Sequence, residues 1–343
     1  MQFIFSVLVI LLHSNRVFYN DVFHFTQKSI FSRLAVPFFL ICSASFYKRK
    51  ARKEGYFKRS IVQYIWWSFF YLPLGYGYFM ELALPMIAAP LAVIVGMIYS
   101  GVWYHLWYIP AYLFGVFLVN KLKQYFSMRI VLMISLALYI TGSIETYSGY
   151  LQNTILLEGY QLYRTVFLTS RNGLFYVPVF VCAGYIIASE EQKGLFSEYF
   201  YKRKLCLSLV LLCLEGSIIY FNQGIDKNFM LSFIPVTLFL FIWAKNTSIW
   251  MHKNLHILKQ LSIYYFFIHP IFIELANLFS KDLSEKIGVH SGWVVFLSTL
   301  AATHLTSLVL IKFNLVERIS WFSNTRFTEK NKSYLKQSQI EIE

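Results

Sequence analysis

Apolar stretches long enough to cross a bilayer recur from one end of this 343-residue chain to the other, and clusters of Lys and Arg separate many of them. Backbone inside hydrocarbon must satisfy its own hydrogen bonds, so such stretches fold as helices. Only 14% of the residues are charged, against 57% hydrophobic and 20% aromatic. A soluble domain carries roughly a quarter charged residues, so this chain lacks the polar surface for water. The sequence predicts an all-α, polytopic transmembrane helix bundle embedded in the lipid bilayer. It assigns residues 1–322 to one multi-span membrane domain and 323–343 to a polar, disordered cytosolic tail.

Spans are expected near 1–13, 31–47, 60–80, 104–120, 128–144, 173–189, 205–222, 229–245, 261–279 and 292–313, about ten in all. The stretch 84–101 has the length of another span, but its two prolines and modest apolarity favour an interfacial or re-entrant piece. With both termini cytosolic, the inner segments carry 23 Lys and Arg and the outer ones eight. That bias supports the orientation and an even number of spans. The first stretch is short: twelve residues precede His13, about 18 Å of helix, against a hydrocarbon core of about 30 Å. Either this helix stops inside a protected bundle or the true start lies upstream. No charged leader and no small-residue cleavage site marks a secretory signal.

The net charge of +14 does not indicate nucleic acid, because the cations sit between spans rather than on one face. Cys42, Cys182, Cys206 and Cys213 lie in apolar stretches without CxxC or Cys/His spacing, so they read as buried thiols rather than a disulfide framework or metal site.

Ionisable groups inside spans cost about 2.5–3.5 kcal/mol each at the helix centre and therefore point to function. Here His13 ends the first span, Arg33 opens the second, His105 begins the fourth and Arg171 stands just before the sixth. By topology these four share an outer depth, with His269 and His304 lying deeper. Histidine takes and releases protons near neutrality. Arginine stays charged and suits an anion or developing oxyanion. The plainer readings are interfacial histidines and arginines that snorkel to headgroups. For His304 the plainer reading is a hydrogen bond to a neighbouring helix, and for Glu215 an internal pairing. The basic loop KRKARKEGYFKR satisfies positive-inside topology and attracts anionic lipid. It also suits docking of a polyphosphate-bearing donor such as coenzyme A.

Six pieces of the chain, taken in order, resemble the acyltransferase-3 membrane proteins: LLHSN, RLAVPFFLICSASF, FKRSIVQYIWWSFFYLP, YHLWYIPAYLFG, RNGLFYVPVFVCAGY and SIYYFFIHPIF. The fourth and fifth most resemble the membrane domain of the vancomycin-resistance membrane serine racemases. These residues contain no counterpart of the racemase domain, so racemisation is not implied. The resemblance implies a ten- or eleven-helix bundle in a bacterial plasma membrane. It implies transfer of an acyl group, usually acetyl, from acetyl-CoA or another acyl-CoA to a hydroxyl of an envelope glycan or similar acceptor.

The resemblance makes His13 the leading catalytic residue, and no metal is expected. Arg49 and Arg52 match the spacing of the family's donor-handling arginine pair, and Arg59 is a second possible match. His105 or His269 would orient the acceptor or shuttle the proton, and Arg33 or Arg171 would steady the oxyanion or the acceptor. Ser43, Trp107, Tyr108 and Asn172, within the resembling pieces, are the expected substrate contacts. Two departures stand out: Gln2 occupies the place of a usual basic residue, and Ser43-Ala44 replaces Ser-Gly. The same His/Arg set also fits uptake of a small polar solute such as an amino acid, or a relative that kept the fold and lost the chemistry.

Overall fold

The structure, a computed structural model, describes residues 1–49, 53–81, 87, 89–189, 199–247, 255–287 and 290–313. Arg52 and the expected tail, 323–343, lie outside the described residues. The described residues form helices and no strand. Each of the ten expected stretches is helical. In chain order, α1 is Gln2–His13 and α2 is Asp21–Phe25. A π-turn over Thr26–Phe31 and a 3-10 turn over Ser32–Leu34 join α2 to α3, Ala35–Arg49. Next come α4 (Lys53–Glu81), α5 (Ala89–Ile98), α6 (Tyr108–Leu122), α7 (Met128–Gly142), α8 (Ile144–Tyr147) and α9 (Ile155–Phe167). The chain continues through α10 (Val177–Ala188), α11 (Tyr201–Phe221), α12 (Phe233–Asn246), α13 (His256–Ile287) and α14 (Ser291–Lys312).

Five of the described helical stretches have the length and apolarity to cross a membrane: Asp21–Arg49, Met128–Tyr150, Tyr201–Phe221, His256–Ser280 and Ser291–Lys312. Between them run the shorter apolar helices α1, α6, α10 and α12. The α10 helix is apolar all round and buried from Val177 to Ile187, as expected of a helix enclosed by other helices. It packs on α3, α6, α7 and α12. Small residues permit the closeness: a Cβ on Gly184 would stand 2.6 Å from the Ile41 carbonyl oxygen, and one on Gly115 2.5 Å from a Val177 methyl. The outer faces carry large exposed apolar side chains, among them Trp66, Phe69 and Phe70 of α4 and Leu207, Val210 and Leu214 of α11. A water-facing surface does not tolerate such contiguous apolar area.

Three features depart from the sequence reading. The second long helix starts at Asp21, ten residues before the expected start, because the Asn20 side chain accepts the Val22 and Phe23 amides at 2.9 and 3.1 Å. The amphipathic α9 was not anticipated. Cys206 and Cys213 are exposed on the apolar face of α11, whereas Cys42 and Cys182 are buried as expected. Within 84–101 the helix α5 is ten residues long, about 15 Å and too short to cross hydrocarbon.

Candidate active site

Two segments enter the bundle as irregular chain before becoming helices: 101–107 leads into α6, and 168–176 leads into α10. Gly101, at φ +75°, makes the first possible, since a Cβ there would lie 2.7 Å from the Leu106 carbonyl carbon and the Trp107 nitrogen. The second begins with a tight turn at Leu168, where φ is +62° and the Thr169 amide bonds the Phe167 carbonyl at 2.6 Å. Buried Glu145 holds this turn. Its carboxylate accepts the Ser170 amide at 3.0 Å, the Ser170 hydroxyl at 2.6 Å and the Thr169 hydroxyl at 3.0 Å.

These segments bring His105 and Arg171 into the bundle. The His105 and His269 rings lie 5.7 Å apart, and the His269 and His13 rings 5.6 Å. Expected to lie deeper, His269 instead joins His13 and His105. The twelve-residue α1 ends within the bundle, and the inward dip before α6 lowers His105 to the same level. Pro270 shapes α13 beside them: it has no N–H to give the Phe266 carbonyl. Neighbouring carbonyls accept side chains instead, Tyr265 from His269 Nδ1 at 2.7 Å and Phe267 from the Tyr71 hydroxyl at 2.5 Å. A carbonyl only accepts, so His269 carries its proton on Nδ1 and keeps a lone pair on Nε2. That Nε2 and both His105 nitrogens are buried without a hydrogen-bond partner.

Beside the imidazoles lies a cavity of about 340 Å³ between the two irregular segments, with Trp103, Tyr104, Trp107, Thr169, Arg171 and Asn172 among its lining. The Tyr104 ring stands 4.7 Å from His13. The Arg171 guanidinium lies 4.7 Å above the Trp107 ring, a cation–π contact that leaves its N–H groups available. Its Nε is buried without a partner. The Asn172 amide donates to Tyr99 and Tyr163 at 3.0 Å, while its oxygen accepts the Leu174 and Phe175 amides at 2.9 and 3.1 Å. It lines the cavity with its polar atoms already engaged. Arg33 is near enough to act electrostatically on His13 and to feel Arg171. Unlike Arg171 it is held by a carboxylate, Asp226, at 2.8 Å and by Asn228.

Ser43 and Tyr108 meet at 3.3 Å between hydroxyl oxygens, and Tyr108 packs on Phe266, itself in contact with His105. Arg49 and Arg59 are exposed at the opposite end of the bundle. His304 takes the interhelical role, its Nδ1 2.9 Å from the Tyr265 hydroxyl. Glu215 pairs internally, accepting the Leu231 and Ser232 amides at 2.6 and 2.8 Å and the Tyr147 hydroxyl. Among the described residues no three His, Cys, Asp or Glu side chains converge as metal ligands. Sequence reasoning missed Glu145, Asp226 and Tyr104. A carboxylate at the edge of an apolar run was the one visible signal for Glu145.

A helical membrane protein with imidazoles and an arginine gathered beside an internal cavity is thus the class that fold and site define. The chain belongs to the acyltransferase-3 family, whose acyltransferase domain matches residues 1–312. A serine/alanine racemase of Enterococcus gallinarum is 26% identical over 314 residues, covering 86% of this chain and 42% of that protein. An amino-acid racemase of Enterococcus faecalis is 32% identical over 205 residues, covering 56% of this chain and 28% of that protein. The chain therefore spans less than half the length of the curated relatives it matches. No solved structure matches.

Proposed function

We propose that the chain transfers an acyl group, acetyl in the simplest case, from a cytosolic acyl-coenzyme A to a hydroxyl of an envelope glycan or similar acceptor. The setting is a bacterial plasma membrane, crossed about ten times with both termini cytosolic. The observation that carries this reading is the grouping of His13, His105 and His269 at 5.6–5.7 Å beside the Arg171 cavity. His13 takes the proton of the acceptor hydroxyl as its oxygen attacks the thioester carbonyl carbon. Arg171 faces the oxyanion that forms. Collapse breaks the carbon–sulfur bond, and the thiolate leaves with the proton held by the imidazolium. The lone pair on His269 Nε2 receives or relays that proton, and His105 orients the acceptor.

The donor's path runs from the opposite end. Hydroxyls extend that way from the imidazoles: Tyr108 meets Ser43 at 3.3 Å, and Tyr56 faces Ser43 and Tyr112. Tyr185 follows, its hydroxyl donating to the Asn120 amide oxygen at 3.2 Å, with Lys48 and Lys123 over its ring at 5.9 and 5.8 Å. Those lysines, with Arg49, Arg52 and Arg59, would take the donor's phosphates. The test supplies the purified chain in vesicles with radiolabelled acetyl-coenzyme A and envelope glycan. Label should pass to glycan with the natural chain and not with His13→Ala. No transfer by the natural chain, or equal transfer by the variant, overturns the proposal.

The names of the relatives, serine/alanine and amino-acid racemase, favour a second reading: uptake of a small polar solute such as an amino acid. Flux of labelled serine into vesicles without any acyl donor would support it.

A further inference from the structure

At the same end of the bundle as the imidazoles, a second cavity of about 570 Å³ lies between the Asp21–Arg33 stretch, the end of α11 and the turn that follows it. Its wall is polar and cationic: His24, Lys28, Arg33 and Lys227 line it, with Asp21 and Gln223. The carboxylates there do not balance the cations. Asp21 is paired with Arg16 outside the cavity, and Asp226 is paired with Arg33. Among the described residues neither Lys28 nor Lys227 has a carboxylate partner; Lys227 Nζ reaches only the Gly224 carbonyl, at 3.3 Å. Three cations against Asp226 leave a surplus of two positive charges, His24 apart.

Such crowding of like charges is unfavourable. Burial, then the nearby Arg33, push the Lys227 ammonium below the usual lysine value, and Asp226 only partly restores it. Two buried nitrogens also lack partners, Arg33 Nε and His24 Nδ1. A buried donor without an acceptor is destabilising, a cost that a bound oxyanion would remove.

We propose that this cavity binds a phosphate group, Lys28 and Lys227 supplying the charge and Arg33 a directed N–H. A phosphomonoester dianion matches that surplus, and a phosphodiester meets half of it while offering two non-bridging oxygens to the lysines and Arg33. The volume leaves room for the moiety that bears the phosphate. Lys28 and Arg33 of its wall both act electrostatically on His13, so the cavity lies within electrostatic range of that imidazole. Resting on the acyl-transfer reading, the ligand is a phosphate-bearing acceptor whose hydroxyl reaches toward His13. The same chemistry could come from a phospholipid headgroup.

The test uses the full chain purified in a non-ionic detergent. Inorganic pyrophosphate and glycerol phosphate are titrated at fixed ionic strength while the thermal unfolding midpoint is followed. Native mass spectrometry reads any co-purified phosphatidylglycerol. Pyrophosphate or glycerol phosphate should raise the midpoint of the natural chain. Lys28→Gln with Lys227→Gln should weaken that response about tenfold or more, and Lys28→Arg with Lys227→Arg should retain it. Phosphatidylglycerol kept by the natural chain and lost from the glutamine variant supports the site with a lipid as its source. No response to any of these probes in the natural chain, or an equal response in the glutamine variant, overturns the proposal. These readouts need no acyl transfer, so failure of the His13→Ala experiment and failure of this one are separate events.

Discussion

Replacing Glu145 with alanine should loosen the segment that carries Arg171 while leaving the rest of the bundle folded. The carboxylate accepts hydrogen bonds from the Ser170 amide, the Ser170 hydroxyl and the Thr169 hydroxyl. The Ser170 hydroxyl has a second acceptor in the Gly142 carbonyl, at 2.9 Å. The Ser170 amide is buried and has no such alternative. Two charge-assisted bonds are therefore lost without replacement, worth about 1.5–3 kcal/mol each. Against this, release of the positive-φ turn at Leu168 returns roughly 1–3 kcal/mol of strain. The midpoints, about 4.5 kcal/mol lost and about 2 kcal/mol returned, leave a local destabilisation of about 2.5 kcal/mol, at about 1.4 kcal/mol per tenfold.

Amide hydrogen exchange over 169–176 should thus quicken about 30- to 150-fold in Glu145→Ala. The amides of α14 should not change. Glu145→Gln keeps one acceptor oxygen and should fall between. Label transfer should fall with the same ranking, because Arg171 moves with the segment. Exchange at 169–176 that matches the natural chain in both variants would refute the reasoning.

Three further outcomes follow from the packing. Glu215→Ala removes the acceptor for the Leu231 and Ser232 amides ahead of α12; chemical or thermal unfolding in micelles should show a loss of about 2–4 kcal/mol. Gly101→Ala puts a methyl 2.7 Å from backbone at φ +75°, so label transfer should be lost. Gly96→Ala, whose nearest neighbour would be 3.9 Å away, should leave transfer intact. A membrane-permeant maleimide should label Cys206, near the start of α11, in the folded chain, and Cys42 and Cys182 only after unfolding, as peptide mass mapping would read.

The helices were legible because hydrocarbon leaves the backbone few options, so an apolar run of sufficient length announces its structure. The α2 start was not, since VFHFTQKSIFSR is too polar to read as a continuation of the following span. Only the capping of the Val22 and Phe23 amides by Asn20 declares it. The α9 helix hid for a related reason: Glu158, Gln161 and Arg164 interrupt its apolar run. At the site, His13, His105, Arg33 and Arg171 stood out as ionisable groups near span ends. Topology gives these four one outer depth, but not the company of His269, because depth along a span follows from the chain only where a helix crosses fully. Partnerships such as Arg33 with Asp226, 193 residues apart, depend on packing between helices that local pattern does not encode. The placing of Cys206 and Cys213 failed likewise: apolar surroundings in the chain do not separate a lipid-facing position from an interior one.

The short helices α6 and α10 have a consequence for the electric field. Peptide dipoles in a helix add to roughly half a positive elementary charge at its amino end. Spanning fifteen and twelve residues, about 22 and 18 Å, these helices begin inside the bundle rather than at its rim. Neither amino end is capped by a side chain of its N-cap residue. Their fixed positive poles are therefore delivered to the interior, where no bulk water damps them. Negative charge that develops near those poles meets a standing attraction supplied by backbone alone, before any arginine is counted.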